Sequence, residues 1–271
     1  MMRFPLIFLA ALAMASCANA KVKDTDSAPN VEVSSEAARA KALQYAVKVV
    51  REYPHDPTSY TQGLFFHEGK LYESGGGYGE SMFREVDLVT GQTIRRFDLK
   101  DRYFAEGAVI FRGMLYMLTW ENGMVFLYDS DTFQYKKTCY FPHEGWGLTT
   151  DGKQLIASDG SARIYFMDAE CKIKGSIDVK LNGRALDNLN ELEYIDGRIW
   201  ANVYTSDMIA IINPQTGVVE ATVDCSGLLP DSLRGPETDV LNGIAQNPED
   251  GKIFLTGKRW KRLYEIELVE K

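Results

Sequence analysis

Several side chains able to move or stabilise charge stand where packing alone gives no reason for them. Glu106 lies between Ala105 and Gly107 at the start of an apolar run, where neither a solvated face nor a core calls for an acid. Asn190 and Glu191 open a second such run, Gln62 and Asn242 stand at the starts of two more, and Lys258 follows Gly257 at the end of a fifth. Trp120, Trp146 and Trp200 lie within or beside the same segments. A carboxylate flanked by small residues can exchange protons with a ligand that approaches closely, amides and an ammonium supply hydrogen bonds, and indoles supply flat apolar walls. Each residue also has a plainer reading: tryptophans pack between sheets, Lys258 is a solvated charge, and Asn190 and Asn242 bond loop backbone. The choice depends on whether the fold gathers them.

The stretch LDNLNELEYIDGRIWANVY, residues 186–204, shows the element that positions them. A polar cluster leads into a short strand, Asp196-Gly197 supplies a tight turn, and Ile199 to Tyr204 alternates as a second strand. In such a hairpin the start of one strand lies beside the end of the other, so Asn190 and Glu191 are expected near Trp200, Asn202 and Tyr204.

The same grammar recurs in five units: Tyr60 to Leu99, Ala105 to Phe141, Glu144 to Val179, Leu189 to Asp224 and Leu241 to Leu268. Each turns at HEGK, FRGM, TDGK, IDGR or EDGK and continues into a third strand, FREVD, VFLYD, IYFMD, IAIIN or LYEIE. Most add a fourth. Four antiparallel strands repeating every forty to fifty residues define propeller blades, so the expected fold is an all-β, five-bladed β-propeller. The fifth unit lacks its last strand while Leu43 to Tyr53 reads as a spare one, which predicts a ring closed by the N-terminal strand. In that ring Gln62, Glu106, Glu144, Asn190, Glu191 and Asn242 encircle one channel mouth. The ends of the second strands add Trp120, Asp159, Asn202, Tyr204, Lys258 and Trp260, making a site for a small molecule or a peptide end.

The motifs TQGL (61–64), AEG (105–107), LTW (118–120), GWGLTTDG (145–152), NLNELEYIDGRIWANVY (188–204), LNGIA (241–245) and TGKRW (256–260) resemble, in order, those of the plant and bacterial glutaminyl cyclases. The resemblance runs from about Leu43 to Leu268. It implies a metal-independent glutaminyl-peptide cyclotransferase that converts the N-terminal Gln of peptides and proteins to pyroglutamate with release of ammonia. It further implies that Glu106 is the acid/base, that Asn190 and Lys258 assist at the reacting amide, and that Gln62, Trp120, Trp146 and Trp200 shape the pocket; the ring of strand entries adds Glu191 and Asn242 as substrate-binding residues. Tyr60 stands where Phe is frequent in the family. No cofactor is expected to be required, and a structural ion in the central channel is compatible with this reading. Two other readings are a non-enzymatic propeller that binds a peptide or glycan at the same mouth and a metal-dependent lactonase, which would need a sixth unit.

Composition frames the rest. The chain has 271 residues, 45% hydrophobic and 25% charged, with a formal net charge of −8, which argues against nucleic acid as a partner. Residues 1–17 read as a signal peptide, and Met14-Ala15-Ser16-Cys17 resembles a bacterial lipobox that would lipidate Cys17. Residues 18–42 form a polar tether with a short helix, and 43–271 the catalytic domain. These features predict a monomer anchored by lipid at a bacterial cell envelope, facing the periplasm or the outside. Cys139, Cys171 and Cys225 then allow at most one internal disulfide.

Overall fold

The structure, a computed structural model, describes residues 41–271. The expected signal peptide, the lipidation site Cys17 and nearly all of the tether lie outside the described residues. The described chain is built of strands, with one short 3-10 turn at Asp231–Leu233 and no α-helix.

Blade 1 comprises Thr61–His67, Lys70–Gly75, Met82–Val86 and Thr93–Asp98, and blade 2 comprises Ala105–Phe111, Met114–Thr119, Met124–Asp129 and Tyr135–Tyr140. Blade 3 is Leu148–Thr150, Leu155–Ser158, Arg163–Met167 and Ile173–Asp178; blade 4 is Leu189–Ile195, Arg198–Val203, Met208–Ile212 and Val219–Asp224. Blade 5 takes Leu241–Gln246, Ile253–Gly257 and Arg262–Glu270 from the C-terminal end and its outer strand, Leu43–Pro54, from the other. That strand pairs antiparallel with Arg262–Glu270, as the missing fourth strand requires. It also pairs parallel with Val219–Asp224 through Leu43 to Ala46, which the repeat pattern does not foretell, and so fuses blades 4 and 5 into one eight-stranded sheet.

The alternation of side chains along each strand gives every blade two apolar faces, and each face is buried against a neighbour. Five separate clusters result, one at each interface. Phe65 and Phe83 meet Ile110 and Met117 between blades 1 and 2, while Tyr116 and Leu118 meet Leu155 and Tyr165 between blades 2 and 3. Ile156 and Ile164 meet Ile199 and Ile212 between blades 3 and 4, and Ile211 and Trp200 meet Leu255 and Tyr264 between blades 4 and 5. Tyr53, Phe254 and Leu263 of blade 5 then meet Leu64 and Leu71 of blade 1, which closes the ring at five. Cys139, Cys171 and Cys225 are free thiols, the last two buried.

The middle of the ring is held by two acids of blade 4. The Glu191 carboxylate accepts the backbone N–H of Leu64 in blade 1 (3.3 Å) and of Ile244 in blade 5 (2.9 Å). Glu193 accepts the N–H of Gln246 (3.3 Å) and the hydroxyl of Thr149 in blade 3 (3.1 Å). Burial raises both above the usual carboxylate range, Glu193 to about 8. A carboxyl whose pKa is raised on folding stabilises the fold while protonated, and that contribution is lost as the pH climbs from its unfolded value near 4.5 toward about 8. Glu193→Gln keeps an acceptor for Gln246 and cannot ionise. Its melting temperature is therefore expected to gain on the parent's between about pH 5 and about pH 9. A constant offset across that range would show that Glu193 is not held protonated by the fold.

Candidate active site

Four of the five inner hairpins share one irregularity. Thr61 pairs with Gly75 but Gly63 with Ser74; Ala105 pairs with Thr119 but Ala108 with Met117; Leu189 pairs with Val203 but Leu192 with Ala201; Leu241 pairs with Gly257 but Ile244 with Leu255. Each inner strand thus carries one residue more than its partner, a β-bulge, and the bulges fall on Gln62, Glu106, Asn190 with Glu191, and Asn242. A bulge re-aims a side chain that strict alternation would send to a blade face. Here it brings polar residues to the channel mouth, where neighbouring inner strands also approach closely: Gly107 N–H donates to Trp146 C=O at 2.7 Å. A Cβ on Gly107 would run into the backbone of Trp146 to Leu148, and one on Gly147 into the Asn190 carbonyl, so glycine is required at both.

The mouth opens into a cavity of about 230 Å³. That is smaller than the roughly 300–1,000 Å³ typical of drug-sized ligands and suits a single residue. Gln62, Glu106, Asn190 and Lys258 form its polar floor, and Tyr60, Phe104, Trp120, Trp146 and Tyr204 its walls. Lys258 Nζ donates to Gln62 Oε1 at 2.8 Å, and Gln62 Nε2 donates to Glu106 Oε1 at 3.0 Å, so the floor is one hydrogen-bonded row. Asn242 Nδ2 donates to the Thr61 carbonyl at 2.9 Å and steadies that row from beneath. The ammonium lies 4.7 Å from the centre of the Tyr60 ring and 5.0 Å from that of Tyr204, a two-sided cation–π seat. Asn190 Oδ1 is buried and has no hydrogen-bond partner among the described residues, so a donor on the ligand would complete it.

Electrostatics favour proton transfer. Burial pushes the Glu106 carboxyl well above the ordinary range, Lys258 pulls against that shift, and Glu144 adds to it. Burial likewise lowers Lys258, with Glu106 and Asp239 opposing. Burial thus disfavours the charged forms of both groups, the kind of perturbation that readies side chains for proton transfer. Among the described residues no group of three or more His, Cys, Asp or Glu is placed to hold a metal ion.

Of the nine sequence-assigned site residues, the fold brings Gln62, Glu106, Trp120, Trp146, Asn190 and Lys258 to the cavity. Glu191, Trp200 and Asn242 do not line it. Glu191 turns into the ring and is taken up by backbone N–H groups, and Asn242 lies below Gln62. Trp200 pairs with Glu193, two residues farther from the mouth than Asn202, and is buried between blades 4 and 5. Phe104 went unassigned, yet it precedes AEG as Tyr60 precedes TQG, so aligning the repeats one residue further would have found it. It stands edge-on to both Tyr60 and Trp120.

The indole walls have their own support. Glu144 accepts hydrogen bonds from Trp120 Nε1 (2.9 Å) and Trp146 Nε1 (3.2 Å), bracing the two rings with one carboxylate. Glu144→Ala is expected to raise KM about five- to thirtyfold, from two lost hydrogen bonds of roughly 0.5–1 kcal/mol each, with kcat within about twofold of the parent. An unchanged KM would show that the indoles hold their places unaided.

Fold and cavity together define a five-bladed propeller whose buried acid and ammonium face a residue-sized, aromatic-walled pocket. The chain belongs to the family described as glutamine cyclotransferase, whose sequence profile it matches over residues 9–268. It is 42% identical to a glutaminyl-peptide cyclotransferase of Arabidopsis thaliana, over 82% of this chain and 71% of that protein. Its fold also matches the crystal structure of a Myxococcus xanthus glutaminyl cyclase with a TM-score of 0.79 and 36% identity, over 85% of this chain and all of that one.

Proposed function

We propose that the cavity cyclises the N-terminal glutamine of peptides and proteins to pyroglutamate and releases ammonia, without a metal. The observation that carries this reading is how the floor holds the carboxamide of Gln62. The Gln62 carbonyl oxygen takes a hydrogen bond from Lys258 and the Gln62 NH₂ gives one to Glu106. Cation toward oxygen and acid toward nitrogen is the polarity needed to open an amide: negative charge gathers on the oxygen while the nitrogen takes a proton and leaves.

The substrate's α-amine is tethered close to its own γ-carbonyl, so the pocket selects the folded conformer and moves protons. The amine nitrogen bonds to the γ-carbon and passes a proton to ionised Glu106. Lys258 steadies the oxyanion, and Asn190 Oδ1 takes a hydrogen bond from a substrate N–H. Glu106 then returns the proton to the departing nitrogen, the C–N bond breaks, and ammonia leaves. No net proton is consumed. The test is to incubate the purified protein with a Gln-initiated peptide and measure ammonia; none released, with the peptide intact, would overturn the reading.

The acidic chain is taken as a monomer acting on peptides rather than nucleic acid, and as lipid-anchored at a bacterial cell envelope through Cys17. Cys17→Ala is expected to move the protein from the membrane fraction to the soluble one. Mutant and parent in the same fraction would remove the anchor from this account.

A further inference from the structure

Behind the floor, outside the cavity, lies a buried charge cluster that the chemistry above does not use. Glu73 is fully buried on the second strand of blade 1, and Arg84 on the third strand reaches its Oε2 with Nε (3.0 Å) and Nη2 (2.6 Å). The other oxygen, Oε1, accepts hydrogen bonds from Ser59, from Thr61 (2.7 Å) and from His55 Nε2 (3.2 Å). Ser59 and Thr61 flank Tyr60, and Thr61 precedes Gln62. The other His55 nitrogen, Nδ1, lies 2.7 Å from the carbonyl oxygen of Trp260, two residues past Lys258. Arg259 N–H donates to the Ser59 carbonyl at 2.8 Å, which ties the two segments together directly.

His55 therefore sits between a carboxylate and a carbonyl. Both are acceptors, so both ring nitrogens must donate, and the buried ring is an imidazolium. Arg84 also donates to Asp56 at 2.9 Å, so the cluster is balanced, with two cations and two carboxylates. Its electrostatics agree: burial pulls His55 down, but Glu73 and the Trp260 carbonyl together raise it, and the cations hold Glu73 far below the usual carboxylate range despite burial.

We infer that Glu73 and His55⁺ are the positioning groups of this active site: one carboxylate and one imidazolium, out of contact with substrate, fix from behind the two segments that carry Tyr60, Gln62 and Lys258. The inference rests on the cyclase reading for its kinetic consequence but not for its structural content. The indole walls Trp120 and Trp146 are braced by Glu144 instead and make no hydrogen bond to the cluster. Loosening it should therefore disturb the Lys258–Gln62–Glu106 row more than ground-state binding. Small displacements of reacting groups are costly, so His55→Gln is expected to lower kcat roughly 10- to 100-fold while KM changes less than about threefold.

The test pairs two measurements. Nitrogen-15 NMR of the imidazoles in the intact protein, which has three histidines, is expected to show both His55 nitrogens protonated near neutral pH. His55→Gln, checked for folding by its thermal melt, is then assayed for ammonia release from a Gln-initiated peptide. A neutral His55 in the parent, or a folded His55→Gln with kcat within about twofold of the parent, would overturn the inference. Glu73→Gln supplies a second variant, expected to return His55 to the neutral form; a His55 that stays doubly protonated there would also count against it. If the parent itself releases no ammonia, the cyclase reading falls, and the NMR result still decides whether the imidazolium clasp exists.

Discussion

Glu106→Gln is expected to lower kcat by roughly 10²- to 10⁴-fold, the usual contribution of one positioned proton shuttle, equivalent to about 3–5.5 kcal/mol of barrier. The substitution keeps the shape and still offers an oxygen to the Gln62 amide, so the floor row survives. It also removes a buried group that the fold resists ionising, so the melting temperature should hold or rise. Because Glu106 must be ionised to accept the amine proton and burial raises its pKa, parent activity is expected to grow with pH through a limb above the ordinary carboxylate range. That limb should vanish in the mutant. A folded Glu106→Gln protein that cyclises Gln-peptides within a few-fold of the parent rate would assign the proton transfer elsewhere, and Glu144, which touches both indoles, would be the next residue to replace.

Much of this arrangement is legible in the chain, and its limits have a physical cause. Turn dipeptides repeat because each hairpin needs residues that tolerate positive φ: Gly69, Gly113, Gly152, Gly197 and Gly251 all adopt it. That repetition gives five blades, and counting strands gives the closure. Side-chain period along a strand is legible too, but a bulge adds one residue without marking the sequence. Alternation therefore cannot say which of Asn190 and Glu191 faces the cavity. The bulge sends Asn190 there and Glu191 into the ring, where it accepts N–H groups from two other blades. Trp200 fails for a simpler reason. An indole reads alike in a pocket and at an interface, and the pairing of Trp200 with Glu193 is what puts it at the interface. Glu73 and Arg84 are cross-strand partners within blade 1, but His55 follows the outer strand of blade 5 and joins them only once the ring has closed, so the cluster is invisible beforehand.

Removal of residues 43–54 is expected to have the largest effect on stability. The outer strand Leu43–Pro54 is mostly exposed, so its contribution lies less in apolar burial than in pairing. It is registered at nine positions against Arg262–Glu270 and at four against Val219–Asp224. Tyr53 is buried against Phe254 and donates to Glu265 at 2.8 Å. At a net 0.5–1.5 kcal/mol per hydrogen bond, with about half of these pairings contributing, the loss is on the order of 5 kcal/mol. For a protein of this size that lowers the melting temperature by about 10–20 °C. The truncation also bares the edge of Arg262–Glu270, an open template for association, so aggregation on heating should increase. Removing residues 21–33 instead touches none of this pairing and is expected to leave the midpoint within about 2 °C of the parent. Equal midpoints for the two truncations would mean that the last blade stands with three strands and that the ring does not depend on its N-terminal closure.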